Sequence, residues 1–463
     1  MPDKKQPIPF EFLLKFESGN KRASEGKVEE SEALYDQCAS LCPEAWIGIA
    51  SVALQQGKWQ EAILRYEQAL THATHPKSRA VCLNNLGLIL NQRGMRRQSE
   101  PYFRKAFELW KLGDTATNIA LCRMYDCDMA GADSWIQRAV RMEPRNGKIW
   151  FNHALISLMK GDLRNGFREY AARWKNPESK TKKLPVYRPE WNGENINGKS
   201  LMVYAEQGAG DTIQLLRYGP LLKHMGARLL LAPQRGVGPL AETQGCWESI
   251  HEDILDRIAR ADVPHWDLQV PMFDLPRILR TDLQSIPPSP YLHGPWPRVY
   301  TAAGSNLKVG FSWAGSVDHA HDIWRSTHLE DWRPLFDLPG IDWYSLQVGE
   351  RTIDLIDCGF PITDLSSKIG SYAHTAGIIE QMDLTISVDT SLVHLAGAMG
   401  HPCWMLTPRC PDWRWMLGQE DSPWYPSLRL FRQTEDLKWS DVVERIKTEL
   451  CKFSPSANSV ATG

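Results

Sequence analysis

Small and aromatic residues recur at helical spacing throughout the first third of the chain. Ala62, Tyr66 and Ala69 form one such set, and steps of four and three residues place them on one face of a helix. Similar sets occur near Tyr35 and Cys38, at Ser99, Phe103 and Ala106, at Ala132, Ile136 and Ala139, and at Gly166 and Tyr170. The sets repeat every 31 to 37 residues or so, which predicts a series of similar helix pairs.

This spacing resembles the tetratricopeptide repeat, whose unit is about 34 residues long. Because a single helix pair cannot bury its apolar face alone, about five units are expected to stack into a solenoid. We predict that this solenoid covers residues 1–178. The concave face of such a solenoid binds an extended peptide or docks a neighbouring domain, and the alternative is a purely structural arm.

After residue 199 the pattern changes to short β-rich runs that alternate with helical ones. The predicted strands are 200–205, 228–232, 307–313, 343–347 and 384–388. This alternation is typical of parallel α/β sheets. A proline-rich stretch, 284–298, divides it into two units. The predicted fold class is therefore α+α/β, with two Rossmann-like units at 179–300 and 301–453, and a disordered tail at 454–463.

Composition narrows the range of partners. The formal net charge is −2, which argues against a nucleic-acid partner, although a local basic patch is compatible with it. No apolar run has the length of a signal peptide or of a membrane span, so a cytoplasmic protein without a membrane span is expected. The scattered cysteines suit reduced thiols and predict neither a disulfide framework nor a zinc site.

The most informative segment joins the predicted strand 384–388 to a helix. The strand ends in Asp389, Thr390 and Ser391, and helical spacing of apolar residues follows. Free backbone amides, the positive end of the helix dipole and two hydroxyl groups would converge there, as a diphosphate requires. The alternative is an ordinary capped junction, because Asp, Thr and Ser are the commonest helix caps.

The α/β portion, from about 200 to 450, resembles the family 9 glycosyltransferases, which include the heptosyltransferases. The whole chain resembles bacterial proteins that fuse tetratricopeptide repeats to that module. The runs that carry the resemblance are GFREY at 166–170 with RW at 173–174, EQGAGDTIQ at 206–214, WAG at 313–315, SLQ at 345–347, VDTS at 388–391 with HLAGA at 394–398, and PDWRW at 411–415 with DSPWY at 421–425. The resemblance implies a GT-B architecture, in which a cleft separates two Rossmann-like units.

The resemblance also implies roles for a loop after the first α/β strand. Asp211 matches the carboxylate that serves as general base, so it would deprotonate the acceptor hydroxyl. The acceptor-side loop before it is glycine-rich, which lets backbone approach a ligand closely; its candidate residues are Glu206, Gln207, Gly208 and Gly210. The alternative for Asp211 is an N-cap of the following helix.

On the donor side, the resemblance implies that Thr390 and Ser391 hold the diphosphate and Asp389 the hydroxyls of the donor sugar. His394 would contact a phosphate oxygen or a sugar hydroxyl; taken alone, it is better explained as a buried histidine. Further candidates are Trp313 and Gly315 beside the phosphates, Arg325 as the cation that replaces a metal, Gln347 at the base or ribose, and, more weakly, Trp413 and Arg414 in an aromatic loop. The α/β portion has no Asp-x-Asp pair, so no metal or other cofactor is expected.

Three departures from the family pattern remove cationic contacts to the donor. Val348 replaces a common lysine, the run 321–323 reads His-Asp-Ile in place of Asn-Asp-Arg, and Ala205 replaces Gly or His.

Taken together, the sequence and the resemblance predict an inverting glycosyltransferase that uses a nucleotide sugar and a protein, peptide or saccharide acceptor selected by the repeats. The alternative is a non-catalytic repeat adaptor with a degenerate nucleotide-binding domain.

Overall fold

The computed structural model describes residues 10–38, 43–319 and 321–453. The predicted disordered tail, 454–463, lies outside the described residues. The chain divides into two compact units, residues 1–152 and residues 153–463. The division assigns residues 153–178, which the repeat pattern placed in the solenoid, to the same unit as the α/β sheets.

The first unit is helical, and from Phe10 to Met142 each helix packs against the next one along the chain. Its helices are α1 (Phe10–Ser24), α2 (Val28–Cys38), α3 (Pro43–Gln55), α4 (Trp59–His72), α5 (Pro76–Gln92), α6 (Arg96–Leu109), α7 (Gly113–Tyr125) and α8 (Met129–Met142), and α9 (Gly147–Met159) runs across the division. The helical repeat region predicted from the spacing is confirmed for the amino-terminal region.

The repeated small and aromatic residues form the contacts between these helices. Ala62, Tyr66 and Ala69 of α4 are all buried. In α6, the ring of Phe103 lies against Gly87 of α5, where an added Cβ atom would come within 2.7 Å of the ring. The spacing therefore reflects close helix packing, in which a small residue on one helix accommodates an aromatic ring from the next.

In the second unit, α10 (Leu163–Tyr170) follows the end of α9 and precedes two parallel sheets. The strands of the first sheet lie in the order β3-β2-β1-β4. Its elements are β1 (Ser200–Tyr204), α11 (Ala209–Leu215), α12 (Gly219–His224), β2 (Arg228–Ala232), α13 (Gly238–Glu242), β3 (Trp247–Ile250), α14 (Ile254–Ala259), β4 (Leu268–Pro271) and α15 (Leu275–Ile278). The predicted strands at 200–205 and 228–232 are found, and β3 and β4 complete the sheet.

The second sheet has six parallel strands in the order β10-β9-β8-β5-β6-β7. Its elements are β5 (Leu307–Ser312), α16 (Asp322–Arg325), α17 (Arg333–Phe336), β6 (Ile341–Ser345), β7 (Ile362–Asp364), α18 (Tyr372–Ile379), β8 (Leu384–Val388), α19 (Ser391–Met399), β9 (Cys403–Thr407), β10 (Leu428–Arg432) and α20 (Trp439–Leu450). This is the doubly wound order, in which the connections reverse direction between β5 and β8.

Aromatic residues fill the core behind the second sheet. The ring of Phe311 lies 5.8 Å from that of Trp313, 5.5 Å from that of Trp332 and 5.6 Å from that of Trp343. All four rings are fully buried or nearly so, so they stabilise the sheet that positions the candidate site. None of the helices in the described part of the chain is both long enough and apolar enough to cross a bilayer.

Candidate functional site

Parallel doubly wound sheets bind ligands at the carboxyl ends of their strands, where the connections reverse direction. In the second sheet that point lies between β5 and β8. The chain leaves β5 through Trp313, Ala314 and Gly315, and it leaves β8 through Asp389 and Thr390. Two of the segments predicted to hold the donor therefore meet at one edge of the sheet.

The junction between β8 and α19 is a capped helix amino terminus, the arrangement that the predicted diphosphate site requires. Thr390 is the N-cap residue, and its hydroxyl accepts a hydrogen bond of 3.3 Å from the backbone N–H of Leu392. The hydroxyl of Ser391, in the first turn, accepts a 3.1 Å hydrogen bond from that of Tyr372. Thr390 is therefore the helix cap that the alternative interpretation expected. Ser391 and the first backbone amides of α19 lie at the edge of the sheet where β5 and β8 end.

A guanidinium group lies between the two strand ends. Arg325 donates a 2.9 Å hydrogen bond from Nη1 to the carbonyl of Asp389, and its Nε lies 3.5 Å from a carboxylate oxygen of Asp322. A Cβ atom at Gly315 would collide with Nη2 of Arg325. Gly315 is therefore required so that the side chain of Arg325 can cross the turn after β5 and place a cation beside the start of α19.

The acceptor-side loop after β1 approaches the same helix. A Cβ atom at Gly210 would come within 2.9 Å of the His394 ring and 3.3 Å of the Cα atom of Ser391. Asp211 follows directly, and its Oδ2 accepts a 2.9 Å hydrogen bond from the N–H of Gly208. The N-cap residue of α11 is Gly208, and Asp211 lies in the first helical turn. Asp211 is therefore not the N-cap residue that the alternative interpretation expected, although it binds the N–H of that residue, and it lies next to the predicted donor site.

Arg414 joins the loops of the two sheets, and protein acceptors use three of its five N–H groups. Its Nη2 lies 2.5 Å from Oδ1 of Asp211, its Nη1 donates to Asp412 at 2.7 Å, and its Nε donates to Gln214 at 2.6 Å. Each of the three nitrogens of this buried guanidinium thus has a protein acceptor. The neighbouring Trp413 is buried too, with its ring 5.4 Å from that of Phe167.

Two further residues predicted to contact the donor, Gln347 and Trp313, are buried and stabilise the turn after β5. Gln347 accepts hydrogen bonds from the hydroxyl of Ser312 at 2.8 Å and the N–H of Ala314 at 3.1 Å, so it clamps the turn after β5. The side chain of Trp313 is fully buried, and its indole N–H donates to Asp354 at 2.9 Å. Only the backbone after Trp313 lies at the strand end, because its ring belongs to the core.

His394 is a hydrogen-bonded histidine within the first turns of α19. Its Nδ1 lies 2.9 Å from the hydroxyl of Tyr425, and its ring lies 5.2 Å from that of Trp415. Burial, reinforced by the positive charge of Arg414, lowers the pKa of His394 well below its ordinary value. The imidazole is therefore neutral near pH 7 and packs against the acceptor-side loop at Gly210.

The carboxylates of the site form one electrostatic cluster. Burial raises the pKa of Asp211, and the positive charge of Arg414 opposes that rise. Burial and the negative charge of Asp412 raise the pKa of Asp389 to about 6. A carboxylate whose pKa is raised is a stronger proton acceptor once ionised. No three His, Cys, Asp or Glu side chains within 10–38, 43–319 and 321–453 are arranged to hold a metal ion.

The acceptor-side loop rests on a buried ion network that sequence reasoning did not find. Arg173, fully buried, lies 2.9 Å from Glu206 and 2.8 Å from Asp274. Gln207 donates a 2.9 Å hydrogen bond to the hydroxyl of Tyr170. Glu206 and Gln207 are therefore supports of the loop. The available signal was an arginine in an otherwise apolar and aromatic run, because a buried arginine requires an acidic partner.

The free energy of unfolding should fall between about pH 5 and 8 because of the Glu206 carboxyl group. Burial raises its pKa from 4.5 to about 7, against the effect of Arg173. The folded state therefore holds a proton that the unfolded state has released between about pH 4.5 and 7, and the free energy of unfolding falls as the pH rises through that range. Relative to a Glu206→Gln variant, the wild type should lose up to about 3 kcal/mol of stability between about pH 5 and 8.

Thermal or urea melts at the two pH values measure this difference directly. The matched control is Glu444→Gln, because Glu444 is exposed on α20. We expect wild type and control to change in parallel, with Glu206→Gln less sensitive to pH. Equal pH dependence in all three proteins would show that Glu206 is ionised throughout in the folded state.

Comparison with known proteins identifies the repeats and one distant relative. The tetratricopeptide-repeat family matches residues 41–111. Protein FlbA of Caulobacter vibrioides is 26% identical over 386 residues, which cover 77% of this chain and 62% of FlbA. The chain therefore spans less than two thirds of the length of that relative.

Solved repeat structures resemble only a part of the chain. They include PilF of Pseudomonas aeruginosa (15% identity, TM-score 0.31, 35% of this chain and 74% of that chain) and YrrB, described as a repeat protein with an unusual peptide-binding site (18% identity, TM-score 0.27, 34% and 82%). TM-scores this low support no argument. The amino-terminal region carries tetratricopeptide repeats, and the chain is a distant homologue of FlbA over most of its length.

Proposed function

We propose that the second unit transfers a sugar, with inversion, from a nucleotide-activated donor to an acceptor hydroxyl. The observation that carries the proposal is the close approach of Gly210 to Ser391. It brings the carboxylate of Asp211 next to a helix amino terminus and to the guanidinium of Arg325. The resemblance to family 9 glycosyltransferases supports the same activity.

In the proposed reaction the acceptor oxygen attacks the anomeric carbon on the face opposite the leaving group. The new C–O bond forms while the bond from the anomeric carbon to the diphosphate oxygen breaks, and Asp211 takes the proton of the acceptor hydroxyl. Negative charge then develops on the departing diphosphate. The first amides of α19, the hydroxyl of Ser391 and the guanidinium of Arg325 would stabilise that charge.

Asp389 and Arg325 would divide the recognition of the donor. The carboxylate of Asp389, ionised above about pH 6, would accept hydrogen bonds from the sugar hydroxyls. Nη2 of Arg325, which has no hydrogen-bond partner among the described residues, would bind a phosphate oxygen in place of a metal ion. We do not assign phosphate binding to Arg414, because each of its three nitrogens already donates to a protein acceptor.

The repeats have a protein-interaction role in this scheme. Tetratricopeptide repeats stack into surfaces that bind other polypeptides, and the amino-terminal region carries such repeats. We propose that they recruit a protein or peptide acceptor; a saccharide acceptor would not require them.

The second candidate is a non-catalytic adaptor whose α/β part senses a nucleotide. One observation favours it. Val348, which stands where related sequences often carry a lysine, has half of its surface exposed at the end of β6, so this side chain offers no cation to a donor. Hydrolysis or transfer of the sugar by the purified protein would exclude the adaptor.

Nucleotide binding is the first test. ADP, GDP, UDP and CDP are each added to the wild type, and thermal unfolding is followed. A ligand at about one hundred times its dissociation constant adds roughly 2.7 kcal/mol to the native state, so one nucleotide should raise the Tm. Ser391→Trp should abolish the shift, because the indole would fill the space in front of the first turn of α19.

The matched control is Ser305→Trp, since Ser305 is exposed in the loop before β5. It should keep the full shift. If none of the four nucleotides stabilises the wild type at millimolar concentration, the transferase proposal is wrong as stated and the adaptor becomes the better account.

A further inference from the structure

A second cleft in the unit of residues 153–463 is strongly basic. Its volume is about 560 Å³, and its walls include four arginines, an asparagine and one apolar side chain: Arg164, Arg168, Arg277, Arg280, Asn192 and Ile278. Among the residues that the structure describes, no acidic one lines it. The cleft shares no residue with the candidate site described above, and the proposed transfer reaction does not use it.

The arginines occupy two facing walls. Arg164 and Arg168 are four residues apart on α10, so they project from the same face of that helix. Arg277 lies in α15, and Arg280 follows its end. Because α10 and α15 pack against each other, each wall of the cleft presents two guanidinium groups.

Nearby carboxylates neutralise these charges only in part. Arg168 lies 3.4 Å from Glu169, but that carboxylate is also 2.5 Å from the ring of His153. Arg277 lies 3.2 Å from Asp274, which is also 2.8 Å from Arg173. Asp274 is therefore shared between two guanidinium groups and neutralises Arg277 only in part.

The other two arginines are exposed, as is Arg168, 67% of whose side chain is exposed. Arg164 pairs with Asp282 at 2.9 Å, with 63% of its side chain exposed. Arg280 is exposed and makes no ion pair or side-chain hydrogen bond among the described residues. Its backbone has φ = 54°, a left-handed conformation that costs a residue with a side chain about 1 kcal/mol. An unpaired cation is thus held at the cleft in a strained position.

We propose that this cleft binds a small molecule that carries two or more phosphate groups. Arginine forks bind phosphate oxygens in pairs, and two facing walls call for at least two anionic groups on one ligand. The volume falls within the usual range of small-molecule sites. With only Ile278 to offer an apolar contact, the lining is poorly suited to a peptide, whose side chains need apolar pockets.

Calorimetric titration of the full chain with inorganic tripolyphosphate tests this assignment. The cleft variant combines Arg164→Gln with Arg280→Asn. Both side chains are exposed, and asparagine tolerates the left-handed backbone at 280, so the fold should be retained; circular dichroism checks it. The matched control is Arg260→Gln, since Arg260 is a 63% exposed arginine outside the cleft. Ser391→Trp separates this cleft from the proposed donor site, which also favours phosphates.

We expect wild type, Arg260→Gln and Ser391→Trp to bind tripolyphosphate with equal affinity, more tightly than orthophosphate, and more weakly as salt is added. The cleft variant should bind at least tenfold more weakly. Loss of binding in Ser391→Trp with retention in the cleft variant would overturn this proposal while supporting the donor site. Equal weakening in Arg260→Gln, tighter binding of a doubly phosphorylated peptide, or no binding by the wild type would also overturn it.

Discussion

An Asp211→Asn variant is expected to lose sugar transfer by a factor of roughly 10² to 10⁴, the usual contribution of a general base, while it still binds the nucleotide. The amide cannot accept the proton of the acceptor hydroxyl, yet it keeps an oxygen that can accept the hydrogen bond from the N–H of Gly208. The measurement is the initial rate of transfer from the nucleotide sugar that the binding test identifies. This expectation rests on the proposed transferase activity.

Asp412→Asn is the matched control, because Asp412 also pairs with Arg414, at 2.7 Å. If Asp211 acts only by neutralising Arg414, the two variants should lose similar activity. If Asp211 is the base, Asp412→Asn should remain active. A folded, nucleotide-binding Asp211→Asn protein with wild-type rates would rule out the assignment of Asp211 as base.

The pH dependence of the rate gives an independent check. A base works when it is ionised, so activity should rise with pH through the pKa of Asp211, which burial holds above 3.8. The negative charge of Asp412 raises that pKa further. Asp412→Asn should therefore shift the acidic limb of the profile to lower pH. Asp412 also raises the pKa of Asp389, so the shift is assigned to Asp211 when it persists in an Asp389→Asn background.

Arg173→Met should cause the largest loss of stability in the second unit. The substitution keeps an apolar stem of similar length but leaves Glu206 and Asp274 without their shared cation. Breaking a buried ion pair from one side typically costs about 3–5 kcal/mol. For a unit of this size that corresponds to a decrease in Tm of roughly 5–10 °C, measured by calorimetry on the full chain.

The comparison with Arg429→Met separates burial from charge. Arg429 lies 2.6 Å from Glu449, but 41% of its side chain is exposed, so its loss should cost less than about 1 kcal/mol. Adding Glu206→Gln and Asp274→Asn to Arg173→Met should restore part of the stability, because the uncompensated charges disappear. No difference between Arg173→Met and Arg429→Met would mean that the buried network contributes little.

Local patterns predicted the sheets only in part. β1 and β8 are buried along their whole length and are rich in apolar and β-branched residues. The prediction missed β3, β4, β7, β9 and β10. Of these, β9 is fully buried, so burial alone does not make a strand recognisable. β3 is partly exposed, β4 is four residues long and ends in Pro271, and β7 has three residues. A short strand at a sheet edge leaves no periodic signal that distinguishes it from a loop.

The end of the repeat region shows a different limit. Gly166 and Tyr170 continue the repeat spacing, and both are buried, as the spacing predicts. The ring of Tyr170, however, packs on Phe273, and that of the neighbouring Phe167 packs on Trp413, both from the α/β part. Periodicity identifies the face of a helix that is buried but not the element against which it packs, so residues 153–178 follow the repeat pattern yet belong to the second unit.

The candidate site was predictable in its parts but not in its pairings. The strand-to-helix junction at Asp389 is visible because its signal is local. The ion pair between Arg414 and Asp211 joins positions 203 residues apart, and Arg173 lies 33 residues before Glu206. Such pairings depend on how segments distant in the sequence come together in the fold, which no local pattern specifies.

The fork of Arg414 has a mechanical consequence for the second unit. Its hydrogen bonds and ion pairs link Asp211 and Gln214, in α11 after β1, to Asp412, which follows β9 of the second sheet. Arg217, just after α11, makes a second link, because it donates a 3.0 Å hydrogen bond to the carbonyl of Trp424. A hinge motion between the two sheets has to break the contacts of both arginines. The dissociation rate of a nucleotide bound between the sheets would then depend on these contacts, and a substitution at Arg217, although far from any reacting atom, would accelerate its release.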